Sequence, residues 1–206
     1  MPRERATGLL VDLDGVLRRW DPEVIAAVER RHGLPPDALL DTAMRWGLLQ
    51  PAITGQVSHA DWVATVADSL VVAHGDPERA RAAVEEWQLY RGAVDEDVLA
   101  FIREVRAAGI RVGLATNATD ALDADLLRLG LRDEVDVVAN SSVYGVHKPT
   151  REFFEQACAD LGAPPSRVLF LDDTDRFVRG ARAVGLSAHR WTGRQDLPYL
   201  RAALAY

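Results

Sequence analysis

The second half of the chain alternates strand-like and helix-like runs, and that rhythm leaves few folds open. Residues 110–115 (IRVGLA), 135–139 (VDVVA), 167–171 (RVLFL) and 187–190 (SAHR) read as short strands. Helix-like runs cover 94–108, 119–129, 150–161, 175–184 and 194–204. Strands separated by helices argue for a parallel sheet covered on both faces. A fifth strand-like run, 7–13 (TGLLVDL), has the same character but lies some 75 residues upstream, ending at the Asp14-Gly15 turn signal. The intervening stretch is helical in pattern. Asp21-Pro22-Glu23 sets a capping acid before a first-turn proline, and Asp76-Pro77-Glu78 repeats the device. Ser58-His59-Ala60-Asp61 has the spacing of a capping box. No strand is expected between 18 and 91. The expected architecture is α/β: a Rossmann-like parallel-sheet core of residues 1–17 and 92–206, with a small all-helical cap domain, 18–91, inserted after strand 1.

Composition narrows the function classes. With 206 residues, 48% hydrophobic and 27% charged, the chain carries enough apolar material for a sizeable core, which excludes disorder and coiled coil. No apolar run approaches the roughly 18 residues of a membrane helix. The start (MPRERATGLLVDL) has a charged head, but Asp12 and Asp14 break its apolar stretch, so it reads as a first strand rather than a signal peptide. A cytoplasmic chain without a membrane partner is the expectation. The formal charge of −7, with no basic block, argues against nucleic acid. Cys158, the one cysteine, forbids an internal disulfide and reads as part of a buried helix face. Of 24 basic residues all but one are arginine, and the exception is Lys148. Oligomeric state is not legible.

In an open parallel sheet, ligands bind beyond the carboxyl ends of the strands. Those ends carry Asp12 and Asp14 after the first strand, Thr116 and Asn117 after the second, and Asp172 and Asp173 after the fourth. Lys148 precedes the helix that follows the third strand. Each signal alone is as readily a turn, a helix cap or a solvated loop residue. Together, four carboxylates converging on one edge with one lysine repel one another strongly. A hard divalent cation removes that conflict; all-oxygen ligands suit Mg²⁺, which leaves coordination positions open for a phosphate group.

Asp12-Leu13-Asp14-Gly15-Val16, LATN with Thr116, GVHKP with Lys148 and FLDD with Asp172 and Asp173 resemble the four motifs of the haloacid dehalogenase-like (HAD) hydrolase superfamily, in the same order and over the whole chain. Asp12 and Thr116 are 104 residues apart, Thr116 and Lys148 only 32, a spacing that resembles members with a helical cap after the first strand. The resemblance implies a Mg²⁺-dependent phosphatase acting on a small phosphorylated metabolite. It implies that Asp12 is the nucleophile, forms an aspartyl-phosphate and ligates the metal. Asp14 would ligate through its backbone carbonyl, while its carboxyl protonates the leaving oxygen and then activates water. Thr116 and the Asn117 amide would bind phosphoryl oxygens, with Lys148 offsetting their charge. Asp173 would ligate the metal directly, with Asp172 supporting from behind.

A phosphomutase of the same superfamily would keep every one of these motifs. A dehalogenase would not need Asp14, and a signalling receiver would place its acidic pair differently. A HAD-like binding protein whose catalysis has lapsed is the other alternative, since Phe177 stands where the family commonly has Asn or Asp four residues after the second acid. Phe177 can neither donate nor accept, so Thr174 or Asp175 would have to supply the missing polar support. Trp20, Trp46, Trp62 and Trp87 are expected to staple the helical insertion. Arg18, Arg19 and Arg45 read as solvated surface and His147 as structural.

Overall fold

The computed structural model describes residues 5–204. The charged head of the start, residues 1–4, and the last two residues of the expected core, 205–206, fall outside them. The elements follow in the order β1 (Gly8–Val11), β2 (Arg18–Arg19), α1 (Pro22–Arg31), α2 (Ala38–Ala43), α3 (Trp46–Ile53), α4 (His59–His74), α5 (Pro77–Trp87) and β3 (Ala93–Val94). Then come α6 (Glu96–Ala107), β4 (Arg111–Thr116), α7 (Leu122–Arg128), β5 (Val137–Asn140), α8 (Ser141–Tyr144) and α9 (Arg151–Leu161). The chain closes with β6 (Val168–Asp172), α10 (Asp175–Val184), β7 (Ser187–Arg190) and α11 (Leu197–Ala203).

Five strands form one parallel sheet in the order β5-β4-β1-β6-β7, the α/β Rossmann-like architecture expected. Strand side chains alternate between faces, and here the alternation divides the core. Leu9 and Val11 of β1, with Leu169 and Leu171 of β6, face a cluster that includes Phe101 and Ile102 of α6, Leu126 of α7 and Leu200 of α11. Leu10 and Phe170 face the opposite cluster, with Phe154 of α9 and Val178 of α10. Cys158 lies in that second cluster, buried on α9 as its sequence setting implies. The order reverses at β1, so the first strand is central and the switch point lies between β1 and β6.

Helices α1–α5 pack round a third cluster of their own, built on Leu39, Trp62, Val66, Leu70, Val84 and Trp87. Their starts are those the sequence signals: Asp21, Ser58 and Asp76 accept hydrogen bonds from the main-chain N–H groups of Glu23, Asp61 and Arg79. The expectation of no strand between 18 and 91 is corrected. Arg18–Arg19 pairs antiparallel with Ala93–Val94, so the two chain crossings into the helical segment run side by side. A two-residue strand has no period to read, because its partner 75 positions later creates it. Gly92 is obligatory there: its φ is +76°, and a Cβ would lie 2.8 Å from the Arg19 carbonyl oxygen and from Arg18 Cγ. The helix expected over 119–129 begins only at Leu122, because Thr119 and Asp120 bind the start of α4 through the His59 ring (3.0 Å) and main-chain N–H (2.7 Å).

Glu29 of α1 is buried at 3% exposure and accepts the N–H groups of Asp37 and Leu39, each at 2.9 Å. It thereby fixes the start of α2. Glu29→Ala leaves two main-chain donors without their acceptor and should cost about 2 kcal/mol. Urea denaturation checks this, with Glu29→Gln retaining part of the stability.

Candidate active site

Three adjacent strands, β4, β1 and β6, end together. Thr116 is the last residue of β4, Asp12 directly follows β1, and Asp172 ends β6. Lys148 is brought to them by Asn117. The Asn117 Oδ1 accepts the Lys148 N–H at 2.8 Å, and its Nδ2 donates to the Lys148 carbonyl at 3.1 Å. Lys148 Nζ then lies 2.8 Å from Asp12 Oδ1 and 2.7 Å from Asp172 Oδ2, with the lysine 1% exposed. Main-chain N–H groups hold the same carboxylates: Leu13 donates to Asp12 at 2.7 Å and Thr174 to Asp172 at 2.8 Å. The Thr174 hydroxyl donates to Asp173 at 3.1 Å. Asp12, Asp172 and Asp173 each present an oxygen within 4.8 Å of the others.

One ammonium does not balance three carboxylates in a buried place. Burial pushes the Asp12 carboxyl above the ordinary carboxylate range, Lys148 pulls it back, and Asp172 adds to the rise. Asp173 is raised as well, by burial and then by Asp172. Lys148 is held above its ordinary value because Asp12 and Asp172 outweigh the effect of burial. The surplus negative charge on an all-oxygen donor set is what a hard divalent cation such as Mg²⁺ neutralises. Gly15 keeps this cluster compact. A Cβ there would lie 2.1 Å from Asp173 Oδ2, and φ is +86°, so residue 15 accepts no side chain.

Asp14 differs from the sequence picture of four converging carboxylates. Its carboxylate is turned to Arg18, which donates from Nε at 2.7 Å and from Nη2 at 3.0 Å, and to Trp20, whose Nε1 donates at 2.6 Å. Arg18 is therefore not solvated surface. It is 5% exposed and also donates to Asp125 of α7 at 3.0 Å. Arg19 and Arg45 do lie exposed. The tryptophans divide: Trp62 and Trp87 are buried staples, whereas Trp46 is exposed and Trp20 half-buried, both lining the site. His147 Nδ1 donates to the Lys148 carbonyl (2.8 Å), and its ring meets Trp46 edge to face. Phe177 offers its ring to Lys148 Nζ, 5.0 Å from the centroid, with Phe170 at 5.4 Å on another side. The polar substitutes expected for it split. Thr174 supports Asp172 and Asp173, but Asp175 pairs with Arg179 of its own helix at 3.2 Å.

Asp12, Asp14, Thr116, Asn117, Lys148 and Asp173 open on a cavity of about 520 Å³, closed on its far side by Trp46, Leu49 and Ile53 of α3. A second cavity of about 350 Å³ continues from it between the sheet edge and α3–α5, sharing Asp14, Trp20 and Asn117. Arg18, Trp20 and Asp125 are the site residues that sequence reasoning missed. Nothing local marks them, since Arg18 meets Asp125 across 107 positions.

The chain matches the family model "haloacid dehalogenase-like hydrolase" over residues 7–185. It is 30% identical over 202 residues to Phosphatase MT3486 of Mycobacterium tuberculosis (strain CDC 1551 / Oshkosh), covering 89% of this chain and 86% of that protein. It is 25% identical over 196 residues to the fructose-1-phosphate phosphatase YqaB of Escherichia coli (strain K12), covering 90% and 96%. Among solved structures, the HAD family enzyme bt-2542 of Bacteroides thetaiotaomicron, in complex with magnesium and inorganic phosphate, superposes with a TM-score of 0.70 at 19% identity, over 90% of this chain and 93% of that one. That last likeness is one of fold. With a parallel sheet ending in these acids and a family match across most of its length, this chain belongs to the haloacid dehalogenase-like hydrolases.

Proposed function

We propose that the chain is a Mg²⁺-dependent phosphatase that hydrolyses a small phosphorylated metabolite through an aspartyl-phosphate on Asp12. The observation that carries this reading is the Asp12 carboxylate, held by Lys148 and the Leu13 N–H at the mouth of the 520 Å³ cavity beside Asp172 and Asp173. Relatives named as phosphatases support it. Asp12 and Asp173 would hold the metal with the Asp14 carbonyl, and Asp172, occupied by Lys148 and Thr174, would support them. The metal supplies charge neutralisation at the phosphoryl oxygens when bound.

The chain's own residues carry the rest. An Asp12 oxygen attacks phosphorus, the bond to the ester oxygen breaks, and Asp14 gives that oxygen a proton. Asp14 then takes a proton from water as the water attacks the acyl phosphate, and the bond from phosphorus to Asp12 breaks. Arg18 and Trp20 hold Asp14 through three hydrogen bonds that occupy both its oxygens, so one of these bonds must open for Asp14 to carry a proton in either step. Thr116 and the main-chain N–H of Asn117 face the transferred group, while the Asn117 side chain serves to place Lys148. Lys148 contributes its remaining N–H and its charge. Helices α1–α5, taken as a cap domain over residues 18–91, close the cavity against water.

Asp12→Asn should retain the fold and lose roughly three orders of magnitude or more in kcat, with Mg²⁺ present. Steady-state assays on a preparation verified by circular dichroism test this, and near-normal turnover would sink the covalent route. Asp14→Asn should slow alkyl phosphates far more than p-nitrophenyl phosphate, whose leaving group needs no proton. Equal losses on both would remove Asp14 from the acid role.

A further inference from the structure

The second cavity has a charge ledger of its own. Its walls carry two guanidinium groups, Arg18 and Arg91, and two carboxylates, Asp14 and Asp125. They are matched one to one. Arg18 pairs with both acids, at 2.7 Å and 3.0 Å, and Arg91 Nε lies 2.9 Å from Asp125. Arg91 also donates to Gln88 Oε1 at 2.9 Å. His59, the remaining titratable group on the wall, has both ring nitrogens engaged, with Thr119 Oγ1 at 3.0 Å and Gln88 Oε1 at 2.8 Å. No cation lining this cavity lacks a carboxylate partner among the described residues.

Two donors do lack partners. Trp62 Nε1 and Gln88 Nε2 are buried without a hydrogen bond, and both residues line this cavity. Buried polar groups are almost always satisfied, so a small turn of either side chain towards the cavity would let a ligand oxygen accept from these orphans. Beside them the lining is apolar, with the Trp20 ring, Trp87 and Ile53. A cavity of about 350 Å³ is at the lower end of small-ligand sites, which run from roughly 300 to 1,000 Å³.

We infer that this cavity receives the leaving group of the substrate and selects an uncharged, hydroxyl-bearing one, of the polyol or sugar class. The inference rests on the phosphatase reading above. A phosphate in the 520 Å³ cavity meets Lys148, and its ester oxygen meets Asp14, the one carboxylate that lines both cavities. The alcohol beyond that oxygen then lies among paired charges, two unfilled N–H donors and apolar rings. Hydroxyl oxygens accept from the donors, and the C–H face of the alcohol rests on the rings. A second phosphate or a carboxylate would instead enter a poorly solvated space beside Asp14 and Asp125 with no cation to meet it. The device therefore separates phosphomonoesters of uncharged alcohols from phospho-acids and bisphosphates of like carbon skeleton.

The test is kcat/KM with Mg²⁺ on matched pairs: glucose 6-phosphate against 6-phosphogluconate, fructose 1-phosphate against fructose 1,6-bisphosphate, glycerol 3-phosphate against 3-phosphoglycerate. The neutral member of each pair should be preferred by about tenfold or more. Equal rates, or preference for the charged members, overturn the inference. Calorimetric binding of the same pairs to Asp12→Asn gives the answer without turnover: equal or tighter binding of the charged members overturns it. Failure of the wild-type enzyme to hydrolyse p-nitrophenyl phosphate would instead overturn the phosphatase reading. Asp125→Asn leaves the guanidinium groups one charge in excess and should shift the preference towards the charged members. Should that variant not fold, Arg91→Gln should deepen the bias against them. An unchanged ratio in the folded variant refutes the charge balance.

Discussion

The active site is organised round a charge imbalance: two buried carboxylates, Asp12 and Asp172, share one ammonium, and a half-buried third, Asp173, stands beside them. Such a cluster persists only if its members are held from outside, and each is. Main-chain N–H groups at the strand ends hold Asp12 and Asp172, a hydroxyl holds Asp173, and Asn117 anchors Lys148 by two main-chain bonds. The sole lysine in an arginine-rich chain is also explained. A slender stem brings a point charge between the rings of Phe170 and Phe177 to two acids at once, where a planar guanidinium would need a wider slot. Phe177 thus keeps the lysine in place by its aromatic face, in a position where a polar side chain is usual in the family.

The sheet and its site were legible because each strand is a short apolar run that stops abruptly at polar residues. Leu9, Leu10 and Val11 alternate between faces and then meet Asp12; the same holds for Leu169 to Leu171 before Asp172. What escaped was decided by distant partners. Arg18 looks solvated beside Arg19, yet it lies buried with Asp14 close by in sequence and Asp125 far along the chain as partners. The strand at Arg18–Arg19 exists only because Ala93–Val94 returns to it. Asp14 was legible as a site residue, but not the direction of its carboxylate, which Arg18 and Trp20 set. The tryptophans differ in burial because Trp62 and Trp87 belong to the helices' own cluster while Trp20 and Trp46 line the site cavity, a division that sequence spacing does not show.

Asp14 occupies the seam between two spaces of different character. On one side the surplus charge is negative and calls for cations; on the other, charges are already paired and the walls are largely apolar. Its two guanidinium bonds and one indole bond come from residues at the entrance to the helical segment. The Asp14 carboxylate is therefore positioned by the same stretch of chain that links the sheet to the helical segment.

Placing the central strand first in sequence has a consequence for how the molecule is made. β1 lies between β4 and β6, yet Leu10 pairs with Gly113 and Phe170, which are synthesised about 100 and 160 residues later. At roughly 5–20 residues per second, the first partner trails by several seconds or more. The helices α1–α5 need nothing made after Trp87 to bury their own cluster. On the ribosome, the helical segment can thus mature before the sheet exists, while a strand of four buried apolar residues waits unpaired. Asp12 emerges early, and its cluster is complete only when the last third of the polypeptide delivers Lys148, Asp172 and Asp173.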